Sequence, residues 1–184
     1  MAYGTLWQFD LLEHPAAVQA LRELGPQADI CGQMIDRGLN TPLTSSVGRL
    51  FDAASALLGV CPHPSYEGEG AVLLEAALGE EADDGPREAA ALDDASVARY
   101  RIGVLKNTAT SQSTALDTSV VLLDAAGTFR ALLDDMQAGV PVPVIALRFH
   151  HAFAEVVLQA ASLVQAVYGI RTVVLVGGVF MNRY

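Results

Sequence analysis

The stretch TPLTSSVGRLFDAASALLG, residues 41–59, decides how the rest of the chain is organised. Its apolar residues recur at steps of three and four, which is the period of an amphipathic helix. They are Val47, Leu50, Phe51, Ala54, Leu57 and Leu58. A side-chain oxygen of Thr44 or Ser45 is expected to cap the first turn, and Gly59 to end the helix in a left-handed conformation. The pattern predicts one helix that buries a single face.

Two residues of this predicted helix, Gly48 and Asp52, depart from the pattern. A glycine inside a helix costs about 1 kcal/mol relative to alanine, so it needs a reason such as close approach of a ligand or of another backbone. Because the two residues are four apart, they share a helix face, and a carboxylate beside bare backbone suits a hydroxylated ligand such as a ribose. Spacing alone favours a simpler interpretation, a glycine at a tight helix crossing and a solvated aspartate.

The charge balance excludes some classes of partner. The 184 residues include 11 lysines and arginines and 21 acidic residues, for a formal net charge of −10. Nucleic acids and anionic lipids are bound by clustered Lys and Arg, so neither is an expected partner. With 52% hydrophobic and 17% charged residues, residues 1–184 are expected to form a single domain with a real core.

The cysteines and the apolar segments indicate a cytoplasmic protein. Cys31 and Cys61 have neither metal-ligand spacing nor a disulfide framework. The first ten residues lack the basic and apolar regions of a secretory signal. The most apolar long segment, residues 152–170, is interrupted by polar side chains and is predicted to be a buried amphipathic helix rather than a membrane span.

Proline, glycine and apolar spacing predict the remaining elements, and together they indicate a helix-rich α/β fold with a mixed sheet. The expected helices lie at about residues 16–24, 30–38, 70–78, 125–138 and 144–168. Strands are expected at 100–105 and 116–123, which would pair as a β-ribbon. The run TVVLV, 172–176, is typical of a buried strand and is expected to pack against the long helix. The acidic residues 79–97 are predicted to be a surface loop or a short connecting helix.

Gly177 and Gly178 directly follow the predicted strand and form a second candidate site. Two glycines there let a ligand approach the backbone, and a helix beginning after them would present free N–H groups to a phosphate. Asn182 could reach a nucleotide with its amide. A plain tight turn is the alternative, because the pattern is neither the dinucleotide-binding nor the P-loop arrangement of glycines.

His150 and His151 are adjacent on the predicted long helix, so their side chains point about 100° apart and cannot chelate one metal ion together. The HExxH pattern of metal-binding helices is absent. One of the two is expected to be a core or interface histidine that makes a hydrogen bond. His63 lies between prolines and is expected to be exposed, and no local signature supports thiol catalysis at Cys61.

Four segments resemble, in the same order, the carboxy-terminal part of the hydrogenase-maturation carbamoyltransferases, the HypF family. They are TPLTSSVGRLFDAASALLGV, YEGEGAVLLEAAL, VIALRFHHAFAEVV and VLVGGVFMNR, spread over about residues 41–184. Each segment alone is weak evidence, whereas the joint match is specific. The resemblance implies the actin/sugar-kinase/Hsp70-like (ASKHA) fold, with this chain as the second lobe of a module shared with the tRNA threonylcarbamoyl transferases.

The resemblance also implies which residues contact a nucleotide. In the family, an aspartate on the corresponding helix holds the ribose, a glycine after the next linker lies against the nucleotide, and a strand–Gly-Gly turn with its asparagine approaches from the other side. By motif position the implied nucleotide-binding residues are Ser45, Gly48, Asp52, Gly68, Gly177, Gly178 and Asn182. No catalytic residue is assigned. A metal ion is expected from the family, with no ligand encoded in this chain.

The activity that the resemblance implies is the ATP-dependent transfer of a carbamoyl group. The group comes from carbamoyl phosphate, passes through a carbamoyl-adenylate, and reaches the C-terminal cysteine of a HypE-like hydrogenase-maturation protein. The product is a precursor of the cyanide ligand of NiFe hydrogenases.

The departures from the family make an incomplete enzyme the expectation. The acylphosphatase-like, zinc-finger and adenylate-forming parts and the first lobe are not among these residues, and the chain stops inside the last motif. We therefore expect a fragment, truncated at its C-terminus, that is inactive by itself. The alternative is an inactive nucleotide-binding or interaction lobe that needs a separately encoded first lobe. The tRNA-modifying relatives are disfavoured, because Ser45, Ser46 and Arg49 replace their usual acidic pattern and YEGE replaces their YPGG.

Overall fold

The computed structural model describes residues 1–22, 26–79, 94–106 and 121–184. The elements in chain order are α1 (Ala2–Gln8), α2 (Pro15–Arg22), α3 (Pro26–Asp36), α4 (Val47–Leu57), α5 (Glu69–Ala76), α6 (Asp94–Arg99), β1 (Gly103–Lys106), β2 (Val121–Asp124), α7 (Ala126–Gln137), α8 (Val142–Tyr168) and a 3-10 helix (Gly178–Met181). β1 and β2 pair antiparallel, with Gly103 opposite Asp124 and Lys106 opposite Val121. The described part is therefore helix-rich, as predicted, and contains the predicted β-ribbon.

The long helix α8 holds the core together. It has 27 residues and ends at Gly169, whose left-handed backbone (φ +69°) is the expected terminator. α8 packs against α6, α7 and β1. Its fully buried Phe149 lies 5.2 Å from the ring of Phe51, 5.7 Å from Phe129 and 5.0 Å from Phe153, measured between ring centroids. These spacings are those of favourable aromatic pairs, so the cluster fastens α4, α7 and α8 to one another.

A buried ion-pair cluster joins α6, α7 and α8. The carboxylate of Asp135 is only 2% exposed and accepts hydrogen bonds from Arg99, from Arg148 at 2.5 Å and from the Tyr100 hydroxyl at 2.9 Å. Burial alone would raise the pKa of Asp135, but the hydrogen bonds from Arg148, Tyr100 and Arg99 outweigh it and lower that pKa. The carboxylate is therefore charged at neutral pH, and its ion pairs link α7 to α6 and α8.

Helix α4 begins later than predicted. Ser46 is the residue before its first turn and makes no side-chain capping bond, while the Thr44 hydroxyl accepts a hydrogen bond from the Ser46 N–H at 3.1 Å. The predicted cap at Thr44 or Ser45 is thus wrong, because the Thr44 hydroxyl closes a local turn that competes with the helix. Gly59 follows the last turn with φ +70°, as predicted.

The predicted buried strand at residues 172–176 is wrong. The segment is irregular, and its side chains are exposed, reaching 76% for Val174 and 74% for Val176. An apolar run forms an interior strand only where neighbouring strands pair with it, and the described residues supply none. The sheet of the described residues is accordingly antiparallel rather than mixed, and α8 packs against β1 instead.

Two further predictions concern partly undescribed segments. Of the acidic residues 79–97, residues 80–93 lie outside the described ranges, and 94–97 begin α6. Of the strand predicted at 116–123, only 121–123 are described, in β2. Within the described ranges, no helix is sufficiently long and apolar to pass through a lipid bilayer.

Candidate functional site

The face of α4 and the linker before α5 enclose a cleft of about 280 Å³. This volume is just below the roughly 300–1,000 Å³ typical of small-molecule sites. Among the residues that line it are Arg49, Asp52, Cys61, Tyr66, Glu67 and Gly68. The cleft thus brings together Asp52 and Gly68, two of the residues predicted to contact a nucleotide.

Asp52 is buried, with a relative exposure of 9%. Its Oδ2 lies 3.0 Å from the guanidinium of Arg49, which is also 3.4 Å from Glu67. Its Oδ1 is buried and has no hydrogen-bond partner among the described residues. A buried acceptor left unpaired costs about 1–3 kcal/mol and is rare in native proteins, and this oxygen is covered by Gly70 of α5. The simpler interpretation of Asp52 as a solvated carboxylate is wrong.

Gly48 does not lie at a helix crossing. A Cβ placed there would meet only the Ser46 hydroxyl, at 3.6 Å, so the backbone of α4 is open on this side. The simpler interpretation of Gly48 as a packing glycine is therefore also wrong. The open backbone leaves room for another molecule beside the first turn of α4.

The close contact with α4 is made instead by Gly70, which the sequence analysis missed. A Cβ at Gly70 would lie 2.9 Å from Asp52 Oδ1 and 3.2 Å from Asp52 Cα. Gly68, two residues earlier, precedes α5 in a left-handed conformation (φ +90°). Gly68 and Gly70 flank Glu69 at the start of a predicted helix, and this pattern could have identified both positions. A glycine before a helix suggests a left-handed backbone, whereas a glycine inside it suggests a close contact.

These geometries predict opposite effects for two alanine substitutions. Gly70→Ala is expected to lower the free energy of unfolding by about 1–3 kcal/mol, because its Cβ forces α4 and α5 apart. Gly48→Ala is expected to raise it by up to about 1 kcal/mol, because alanine favours the helix and its Cβ would make only an ordinary van der Waals contact with the Ser46 hydroxyl. Urea unfolding followed by circular dichroism measures both, and effects of the same sign would contradict the assignment.

The linker before α5 is held by Glu69. Its carboxylate accepts hydrogen bonds from the backbone N–H of Ser65 and, at 2.9 Å, from the Ser65 hydroxyl, and these bonds lower the pKa of Glu69. Cys61 is buried at the start of the linker, and desolvation, with the nearby charges of Glu69 and Asp52, raises the pKa of its thiol. A protonated, buried thiol is a poor nucleophile, in agreement with the argument against thiol catalysis.

The Gly177–Gly178 turn lies beside α4 but does not line the cleft. Gly177 adopts φ +102°, and the 3-10 helix that follows packs against α4. The Asn182 side-chain oxygen accepts a hydrogen bond from the N–H of Tyr184 at 3.0 Å. In the described part of the chain, Ser45 is exposed and likewise does not line the cleft. The structure therefore brings together only some of the predicted residues.

The last residues are fastened to α5 and α8. The backbone N–H of Arg183 donates to Glu75 at 3.0 Å, and the Tyr184 hydroxyl lies 3.4 Å from His151 Nδ1. The ring of Tyr184 also packs against His150, with centroids 5.8 Å apart. These contacts hold the end of the chain against α5 and α8.

One of the two adjacent histidines is a core residue that makes a hydrogen bond, as predicted. His150 is buried, and its Nδ1–H donates to the carbonyl of Ala146 at 2.8 Å. Desolvation lowers the pKa of His150, so the ring is neutral at pH 7. His63 is exposed, as expected. Over the described residues, no three His, Cys, Asp or Glu side chains are close enough to hold a metal ion.

Comparison with known proteins places the chain in a family. A family model described as "Carbamoyltransferase, Kae1-like Domain, second subdomain" matches residues 1–184. The carbamoyltransferase HypF2 of Cupriavidus necator is 32% identical over 161 residues, which are 86% of this chain and 19% of that protein. A carbamoyltransferase HypF homolog of the same organism is 35% identical over 156 residues, 81% of this chain and 33% of that protein.

A solved structure shows that the similarity includes the fold. The crystal structure of full-length HypF in the phosphate- and nucleotide-bound form matches 99% of this chain with a TM-score of 0.75 and 28% identity, and the match covers 25% of that protein. This chain thus spans a fifth to a third of the two curated relatives and a quarter of the solved one. From these matches we conclude that the chain belongs to the HypF carbamoyltransferase family, in which it corresponds to the second subdomain of the Kae1-like domain.

Proposed function

We propose that this chain provides the nucleotide-contacting wall of a HypF-type carbamoyltransferase, built as the second lobe of an ASKHA fold. The observation that carries the proposal is Asp52, a buried carboxylate in the wall of a cleft, one helical turn from the open backbone of Gly48. A ribose hydroxyl could donate to Oδ2 of this carboxylate, the oxygen that now pairs with Arg49. The nucleotide-bound state of the solved relative supports a nucleotide as the ligand.

In this proposal Arg49 must give way when the nucleotide binds. Asp52 Oδ1 lies beneath Gly70 and Oδ2 is held by Arg49, so a ribose hydroxyl reaches the carboxylate by replacing the guanidinium. The first turn of α4 has no side-chain cap, and its free N–H groups favour a phosphate. The neighbouring turn at Gly177 and Gly178 would approach the nucleotide from its other side, with Asn182 and Ser45 at the margins.

The proposed reaction has three steps. Water first hydrolyses carbamoyl phosphate to carbamate and inorganic phosphate. A carbamate oxygen then attacks the α-phosphorus of ATP, so that carbamoyl-adenylate forms and pyrophosphate leaves. The thiolate of the C-terminal cysteine of a HypE-like acceptor then attacks the carbamoyl carbon, so that a C–S bond forms, the C–O bond to AMP breaks, and AMP leaves. The residues of this chain bind and orient the nucleotide, and the metal ion and the acceptor site lie in other parts of the enzyme. The product serves cyanide-ligand synthesis for NiFe hydrogenases.

The test is titration of the chain with ADP, followed by calorimetry and by NMR chemical-shift changes. Asp52→Asn keeps the side-chain shape but removes the charge, and we expect affinity to fall about tenfold or more, since a charge-assisted hydrogen bond is worth about 1.5–3 kcal/mol. Asp36→Asn, at an exposed position on α3, is the matched control and should bind like the wild type. Equal affinities for all three proteins, or no binding by the wild type up to millimolar ADP, would contradict the proposal.

A further inference from the structure

Arg49 carries the only basic side chain among the residues that line the cleft in the described part of the chain. Two acidic side chains, those of Asp52 and Glu67, line the same cleft, so its side chains together carry a net negative charge. A phosphate group that entered the cleft would be repelled by both carboxylates unless a cation lay beside it. Binding of a phosphorylated ligand here therefore depends on the guanidinium of Arg49.

The guanidinium of Arg49 has two partners, which differ in burial. Its Nη2 lies 3.0 Å from Oδ2 of Asp52, whose side chain is 10% exposed, and 3.4 Å from Oε1 of Glu67, whose side chain is 87% exposed. A contact with so exposed a carboxylate adds little to stability and holds the guanidinium only loosely. The side chain of Arg49 is itself 28% exposed, so it can change partner at the mouth of the cleft without disturbing the core.

We propose that Arg49 selects phosphorylated nucleotides over free nucleosides at this cleft. The inference rests on the proposed function, in which a ribose hydroxyl replaces the guanidinium at Asp52. The released guanidinium then pairs with the phosphate attached to the same ribose, and Glu67 keeps it at the mouth of the cleft. Arginine suits this exchange, because its planar fork of N–H donors matches a phosphate as well as a carboxylate.

A purely structural role for Arg49 makes a different prediction. If Arg49 only neutralises Asp52 within the fold, its loss should change the affinities for a nucleoside and for its phosphate by the same factor. If Arg49 contacts the phosphate, its loss should weaken binding of the phosphorylated ligand alone. The two roles are therefore separated by a pair of ligands that differ only in the phosphate.

The test compares AMP with adenosine. Calorimetry and NMR titration of the 184-residue chain give both affinities, and their ratio measures the preference for the phosphate. Arg49→Gln should lower this preference about fivefold or more, because a charge-assisted bond to phosphate is lost. Adenosine should bind the variant at least as tightly as the wild type, since no cation competes for Asp52. Arg49→Lys keeps the charge but lacks the planar fork, so it should keep only part of the preference.

The matched control is Arg37→Gln, at an exposed arginine outside the cleft, which should keep the wild-type preference. Circular dichroism checks that each variant is folded, and if Arg49→Gln is not, an unchanged preference in Arg49→Lys would refute the inference. So would a wild type that binds AMP no more tightly than adenosine, an unchanged preference in Arg49→Gln, or an equal loss in the control. If neither ligand binds, or if Asp52→Asn leaves adenosine affinity unchanged, the proposed function fails together with this inference.

Discussion

Asp135→Asn is expected to lower the free energy of unfolding by about 3–5 kcal/mol, the range found when one partner of a buried ion pair is removed. The carboxylate is 2% exposed and binds Arg148, Arg99 and the hydroxyl of Tyr100. Without its charge, the guanidinium of Arg148 stays largely buried and loses its counter-ion, while its Nε already has no partner among the described residues. The loss is a large part of the 5–15 kcal/mol typical of a folded domain.

Urea unfolding followed by circular dichroism measures this effect. Asp134→Asn is the matched control, because Asp134 neighbours Asp135 on α7 but is 54% exposed and pairs with His14 at the surface. Exposed ion pairs are worth about 0–1 kcal/mol, so the control should change stability little. Similar losses for the two variants would show that the buried cluster does not stabilise the fold.

The same cluster predicts the pH dependence of stability. Because the folded-state pKa of Asp135 is lowered, its stabilisation is fully present above the unfolded-state pKa of about 3.9 and is lost as the pH falls through the lower folded-state pKa. The difference in free energy of unfolding between the wild type and Asp135→Asn should therefore shrink as the pH falls below about 4. An advantage that stays constant down to pH 2 would contradict the lowered pKa.

Local patterns predicted the elements whose stability is decided within a few residues. The apolar period of α4 and the left-handed glycines Gly59 and Gly169 identified helices and their ends. The strands predicted at 100–105 and 116–123 identified the β1–β2 ribbon. In each case the deciding interactions, helix capping or pairing of adjacent strands, join residues close in sequence. The start of α4 was misplaced because Thr44 offered the backbone an equally local alternative.

Predictions that depended on distant neighbours succeeded less often. Composition showed that residues 172–176 are suited to burial, but it carried no information about whether a sheet is present to bury them. The sequence favoured Gly48 as the glycine at a helix crossing, whereas α4 and α5 cross at Gly70. Which glycine meets a neighbour depends on how two helices pack, and no spacing within one helix encodes that.

In the candidate site, too, local spacing predicted some residues and missed those that depend on packing. The pairing of Gly48 with Asp52 followed from helical geometry, and the structure buries Asp52 at the cleft and leaves the backbone at Gly48 open. The participation of Arg49 was missed, because a surface arginine three residues from an aspartate is common on helices and only the burial of the pair makes it distinctive. Gly177 and Gly178 remain predictions for nucleotide contact, since they reach α4 but not the cleft.

Phe149→Ala is expected to cost about 3–5 kcal/mol of unfolding free energy, the usual loss for a large aromatic residue removed from a core. Phe149 is fully buried, and its ring contacts Phe51, Phe129 and Phe153, so its removal opens a cavity where three helices meet. Urea unfolding should show a large drop in midpoint, whereas Phe180→Ala, at a 44% exposed position, should be nearly neutral. Equal losses would contradict the assignment of Phe149 to the core.

The milder substitution Phe149→Leu tests whether the aromatic cluster positions the candidate site. Leucine keeps the position apolar but withdraws the ring that meets Phe51, the residue next to Asp52 on α4. Because side chains in a close-packed core transmit small displacements, α4 should shift and weaken ADP binding in a protein that still unfolds cooperatively. A Phe149→Leu protein that loses stability but binds ADP like the wild type would show that the site is positioned by the α4–α5 contact at Gly70 rather than by the aromatic cluster beneath it.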